Sequence, residues 1–371
     1  RFVESAVLPL LRRKAAGGNN VFLLDHTMYE ETLAADQLEA QPTNAATAYY
    51  LAPITTGQNR TFHPKIYLFG GERTATAYVG SANLTQQALT RNQEVMSVAH
   101  CTRSTLEEAS DPETLSDTVM MISEVADFFD ALFASPLTGR VGPVPKERVD
   151  TTLAAIEWVR TATVGEGTGR SRWFLHSLDQ PILDQAFAII ADQGDEVTAV
   201  DVAAPFYGST VDVLETFTDR GIATTAWLQT GETQVQESAI QEWATDSLAS
   251  VMTYSHTRYV HGKLLEFHAT GGSYVLGGSP NLSRAGLLAT ATGSGEPGNV
   301  EAAVLRHIDE SDTGLWSTAP FTDASAGLNG FAASEKFSPN SQTSGGESDE
   351  PSSLQLLSAD LRVRSCGGDC W

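Results

Sequence analysis

Two short runs of polar residues occur twice in this chain at one spacing. His63-Pro64-Lys65 is followed by Gly80-Ser81-Ala82-Asn83, and His261-Gly262-Lys263 by Gly278-Ser279-Pro280-Asn281. Lysine to glycine is fifteen positions in both copies, and the copies stand 198 residues apart. Once an H-x-K is present, a Gly-Ser-x-Asn at a set offset arises by chance on the order of 10⁻⁴ at average residue usage. Packing alone gives no reason to repeat His, Lys and Asn. A carboxylate follows each copy at a looser offset, in Asn92-Gln93-Glu94 and Asn299-Val300-Glu301.

Imidazole, ammonium, amide and hydroxyl converging twice suit a phosphate diester. Lysine supplies positive charge for non-bridging oxygens, while asparagine and serine supply neutral donors. Two histidines let one attack phosphorus and the other protonate the leaving oxygen. A glutamate on the far ring nitrogen fixes tautomer and orientation. This chemistry calls for no metal and no cofactor.

The elements that must position these groups are legible as a repeated hairpin. Residues 61–69 and 259–267 read as strands that begin ahead of each motif, so that His and Lys, two apart, emerge on one face. A second strand then runs into each Gly-Ser turn, and a helix follows at 84–91 and at 283–288. Farther along, strands at 172–177, 196–204 and 223–228 alternate with helices at 181–193, 210–220 and 232–247, the pattern of an α/β fold with a mixed sheet. The first copy overlays on this, with a helix at 3–16, a strand at 21–25, a short helix near 30–39 and a strand at 47–53. Residues 116–133 and 145–162 have helical apolar spacing, and the stripe of Met120, Met121, Val125, Phe128, Phe129, Leu132 and Phe133 reads as core.

At these residues the chain resembles the phospholipase D superfamily, whose members carry two H-x-K…G-S-x-N motifs joined at a pseudo-twofold interface. The resemblance extends over residues 1–308. It implies a duplicated phospholipase D-like α/β sandwich, two mixed-sheet repeats related by a pseudo-twofold axis. Residues 1–140 are then a first repeat truncated at its N-terminus, 141–310 the second, and 311–371 an acidic Ser/Gly-rich linker and tail. It also implies a phosphohistidine intermediate, with His63 as nucleophile, His261 as general acid, and Lys65, Lys263, Asn83 and Asn281 gripping the phosphoryl group. Ser81 and Ser279 match the motif's serine, and Glu94 and Glu301 its histidine-orienting acids. Members that act on phospholipids usually have Asp five positions after the Lys, where this chain has Gly70 and His268. The spacing is closer to the nuclease and helicase-associated branch. A metal-independent phosphodiesterase acting on nucleic acid is the expectation, within a longer polypeptide or multi-protein system. A phospholipid hydrolase or transphosphatidylase and a non-catalytic nucleic-acid-binding module are the alternatives.

Composition bears on the partner. The chain has 46 acidic and 23 basic residues, a net charge of −23, and its lysines are Lys14, Lys65, Lys146, Lys263 and Lys336. Such a balance suits a halophile's cytoplasm, where a Debye length of about 3 Å at molar salt leaves local contacts to decide the binding of a polyanion. Arg60, Arg91, Arg258 and Arg284, all near the motifs, are candidates for those contacts. No run of residues is apolar enough for a membrane anchor. Three cysteines, Cys101, Cys366 and Cys370, argue against a disulfide framework. The Cys366–Cys370 pair resembles half of a zinc knuckle, and no metal is assigned to it. The six remaining histidines lack a repeated partner and read as structural.

Overall fold

A computed structural model of the chain describes residues 20–30, 50–57, 60–108, 112–162, 170–293, 298–308, 316 and 321–334. The expected helices at 3–16 and 30–39 and the Cys366–Cys370 pair lie outside the described residues. Around the first motif, β1 (Val21–Asp25) and β2 (Tyr50–Ile54) pair in parallel. There, β3 (Ile66–Gly70), β4 (Thr74–Gly80) and β5 (Met96–Thr102) form a separate antiparallel sheet. Alternation explains β4, where Ala75, Ala77 and Val79 are buried and Thr74 is exposed.

Around the second motif, parallel and antiparallel strands share one sheet. Its strands are β6 (Arg172–His176), β7 (Val197–Ala203), β8 (Ala223–Gln229), β9 (Ala249–Tyr254), β10 (Leu264–Ala269), β11 (Gly272–Gly278), β12 (Ala302–Ile308) and β13 (Ser325–Ala326). They lie in the order β13-β9-β8-β7-β10-β11-β12-β6, with β7, β8 and β9 parallel. The antiparallel remainder makes the sheet mixed, as the alternating pattern predicts. The opening residues of β10, Leu264 to Phe267, are buried on both faces. Leu265 and Phe267 meet the helical layer, while Leu264 meets Val95, which belongs to the segment after the first motif. Residues 321–334 return to this sheet, Phe321 packing on Tyr254 and Gly327 N–H reaching Val251 O.

Helices α1 (Gln86–Thr90), α2 (Pro112–Ala134), α3 (Pro143–Ala155), α4 (Ile182–Asp192), α5 (Asp212–Asp219) and α6 (Glu237–Trp243) complete the described regular structure that matters here. The apolar stripe of α2 is core, with Val119, Met121, Ile122, Val125, Phe128 and Leu132 buried between β5 and β6. Its polar side is also used. Glu124 Oε2 accepts from Phe174 N–H at 3.1 Å, and Asp117 accepts from Ser171 N–H at 3.1 Å. Strand β6 is an edge of the large sheet, so these carboxylates occupy donors that would otherwise be open to another chain. No described helix is long and apolar enough to cross a membrane.

Candidate active site

The segments that carry the motif histidines are not strands of their own hairpins. Strands β3 and β10 begin at Ile66 and Leu264, one residue after each motif lysine, which corrects the expectation of strands over 61–69 and 259–267. Each segment is extended because it pairs with residues from around the other motif. Phe62 bridges Val300, and Gln93 bridges Val260, both in parallel. His63 N–H donates to Val300 O and His261 N–H to Gln93 O, each at 2.9 Å. The helices after the Gly-Ser turns are also shorter than expected. The first is α1, and the second is one wide turn over Arg284–Leu288 capped by Ser283.

This exchange of main chain carries an exchange of carboxylates. Glu301, which follows the second motif, takes both carboxylate oxygens to within 3.0 Å of His63 Nδ1. Glu94, which follows the first, lies 2.8 and 2.9 Å from His261 Nδ1. The surrounding shells match. Ser81 donates to Glu94 and Ser279 to Glu301, while Asn92 Nδ2 and Asn299 Nδ2 reach the same carboxylates at 3.2 and 3.1 Å. Ser81 and Ser279 are fully buried and also accept from Val95 N–H and Ala302 N–H. Their hydroxyls therefore order the glutamates, which corrects the expectation that serine donates to the phosphate.

The motif glycines have a packing reason. A Cβ on Gly80 would lie 2.1 Å from Val95 O, and one on Gly278 would lie 2.4 Å from Ala302 O, where only hydrogen fits. Each turn then delivers its asparagine, whose carbonyl accepts from Thr85 N–H or Ser283 N–H at 2.8 Å. Asn281 Oδ1 is buried and has no partner among the described residues.

The lysines differ in a way the sequence does not show. Lys65 Nζ donates to His63 O at 2.9 Å, whereas Lys263 Nζ lies 2.9 Å from His261 Nε2. His63 Nε2 has no hydrogen-bond partner among the described residues, and the side chain is 27% exposed against 12% for His261. Burial and then the Lys263 charge lower the His261 pKa to about 4, against the pull of Glu94. His63 is lowered too, by burial and by Lys65, with Glu301 opposing. Burial alone would raise both glutamates. Their histidine, serine and lysine partners overcome it and hold both below the usual carboxylate range. Lys65 acts on His261 and Lys263 on His63, so the two motifs form one electrostatic site.

Several residues of this site carry no repeated signal. Asp25, ending β1, accepts from Phe62 N–H at 2.9 Å, and Gln229, ending β8, accepts from Val260 N–H at 2.9 Å. Each fixes the residue just before a motif histidine. Ser177 Oγ accepts from Glu301 N–H at 2.7 Å and donates to Asn299 O at 2.6 Å. A polar residue closing an apolar strand was the available clue to Asp25 and Gln229. The positions five after each lysine face other tasks. Gly70 is crowded by Ile156, and His268 Nε2 pairs with Asp201 at 2.7 Å.

Residues 5–110 match the family described as cardiolipin synthase, PLD-like domain. No curated protein matches the sequence. Among solved structures the chain is similar to polyphosphate kinase from Porphyromonas gingivalis, at 11% identity and a TM-score of 0.42, over 83% of this chain and 39% of that one. It is similar to phosphatidylserine synthase from Haemophilus influenzae Rd KW20, at 14% identity and 0.43, over 78% and 70%. It is also similar to Nuc, a phospholipase D family member from Salmonella typhimurium, at 16% identity and 0.28, over 38% and 85%. The chain thus spans well under two thirds of the kinase. The matched PLD-like domain covers residues 5–110 and so includes the first H-x-K…G-S-x-N motif, while the second, equally complete, lies beyond it.

Proposed function

We propose that this chain is a phosphodiesterase that works through a phosphohistidine intermediate, with nucleic acid as its substrate. The observation that carries the reading is the crossed pair of His–Glu contacts with two buried lysines beside them. With Nδ1–H donated to Glu301, His63 presents the Nε2 lone pair to phosphorus. The N–P bond forms as the P–O bond to the leaving group breaks, and the leaving oxygen takes its proton from His261. Lys65 and Lys263 balance the charge on the non-bridging oxygens. Water, giving its proton back to His261, then attacks phosphorus and releases His63.

The resting His261 is neutral at pH 7, so it must be charged on substrate binding. An incoming phosphate anion competes for Lys263 Nζ, freeing Nε2, and its negative charge raises the ring's pKa. Both effects favour the imidazolium the first step needs. Phosphoryl transfer at a phospholipid is the second reading, favoured by the description of the matched family. Gly70 and His268, in place of the usual Asp, count against it.

The test offers bis(p-nitrophenyl) phosphate, a labelled single-stranded oligonucleotide and anionic phospholipid vesicles in high KCl with EDTA. Cleavage of the first two with intact lipid is the expected result. Cleavage of lipid alone would favour the second reading. Activity lost to chelator and restored by Mg²⁺ would refute the proposed chemistry.

A further inference from the structure

Of the four arginines near the motifs, the structure engages two elsewhere. Arg60 Nη1 donates to Ala291 O at 2.6 Å, and Arg284 Nε to Asp212 at 2.9 Å. Arg91 and Arg258 are exposed, and neither guanidinium has a partner among the described residues. Arg73 is another such arginine, at the β3–β4 turn, the opposite end of that hairpin from Gly80.

Arg91 and Arg258 lie on two segments that pair. Gln93 N–H donates to Tyr259 O at 2.8 Å, and Gln93 bridges Val260, so each arginine stands two residues before a bridged position. The next steps along these segments are Glu94 and His261, which are bonded to each other. The Arg258 main chain is held on both sides, its N–H by His256 Nδ1 at 3.1 Å and its carbonyl by Gln229 Nε2 at 2.9 Å. The Arg91 N–H closes α1 on Gln87 O at 2.8 Å. Two anchored backbones therefore carry two exposed guanidiniums, each three residues before a member of the Glu94–His261 pair.

We propose that Arg91 and Arg258 bind a second phosphate of a single-stranded nucleic acid, the one next to the scissile diester on its leaving-group side. The proposal rests on the phosphodiesterase reading, in which His261 protonates that leaving group. Arg258 is three residues from His261, at most about 11 Å along the chain, within reach of the neighbouring phosphate. Guanidinium groups suit it because they bind phosphate with two parallel donors. A phospholipid with one phosphodiester carries no second phosphate of its own for this pair.

The test compares wild type with R91Q, R258Q, the double variant and R73Q, on a single-stranded oligonucleotide and on bis(p-nitrophenyl) phosphate. The double variant should raise KM for the oligonucleotide roughly 10- to 100-fold more than for the small diester. Its plot of log KM against log salt should flatten by about 0.7 for the lost phosphate contact. R73Q should behave as wild type on both. Equal changes on the two substrates, or none on the oligonucleotide, would overturn the proposal and leave the phosphodiesterase reading standing. A selective loss on anionic vesicles instead would assign the pair to lipid headgroups and overturn it as well. A wild type inert on both diesters refutes the phosphodiesterase reading, and this proposal with it.

Discussion

The crossed carboxylates make a prediction that adjacency in sequence would invert. Glu301 follows the second motif yet serves His63, so Glu301→Gln should behave like a variant of the first motif. The hydrogen bond at 3.0 Å is charge-assisted, and its loss alone is worth about tenfold to a hundredfold. As His63 gains its phosphoryl group the ring becomes cationic. A charge about 4 Å from the carboxylate at an effective dielectric near 20 is stabilised by about 4 kcal/mol, close to a thousandfold. We therefore expect kcat to fall by about 10²- to 10³-fold, lying between these figures because the amide oxygen still accepts from Nδ1. The assay is stopped-flow release of p-nitrophenol from bis(p-nitrophenyl) phosphate. Glu301→Gln should abolish the burst, since attack itself is impaired. Glu94→Gln should keep the burst and slow the phase after it, because an aryl leaving group needs no proton but hydrolysis of the intermediate needs His261 as base. A burst lost with Glu94→Gln and kept with Glu301→Gln would refute the pairing of roles, provided both variants unfold in urea near the wild-type midpoint.

Gly278→Ala should destabilise the protein by about 3 kcal/mol in urea unfolding, the upper end of overpacking costs, because the new methyl meets main chain at Ala302 and Ala303. Stability should also fall as pH drops from 6.5 toward 4. The unfolded His261 binds a proton in that window and the folded one, with a pKa of about 4, does not, a difference of about 3 kcal/mol. Urea midpoints measured across this range should decline, and His261→Gln should flatten the decline; a flat wild-type profile would contradict the burial of a neutral imidazole. Finally, a label transferred from substrate should survive alkaline quench, vanish in acid and map to the peptide containing His63. Label on the peptide containing His261 would reverse nucleophile and acid.

What the sequence determined by itself was the set of functional groups and much of the local structure. Two copies of His, Lys, Gly, Ser and Asn at one spacing point to a duplicated phosphoryl site, and strand periodicity predicts the β3–β4 and β10–β11 hairpins that carry the Gly-Ser turns. The alternating strands and helices from Arg172 onward give the mixed sheet. These features are local, and local residues decide them. Which glutamate orients which histidine is not local: the His63–Glu301 and His261–Glu94 contacts span 238 and 167 residues. They follow from parallel main-chain bridges at Phe62 and Gln93, which make the histidine segments extended without making them strands of their own hairpins. The same is true of the serines, whose burial turns them from substrate toward carboxylate, and of the arginines, alike in sequence and divided only by what each one meets. Lys65 and Lys263 occupy identical motif positions, and only the packed site places one on a carbonyl and the other on an imidazole. Motif spacing supplies the functional groups, but tertiary contacts between distant segments determine their partners, because a hydrogen bond requires proximity in space and sequence pattern encodes proximity only along the chain.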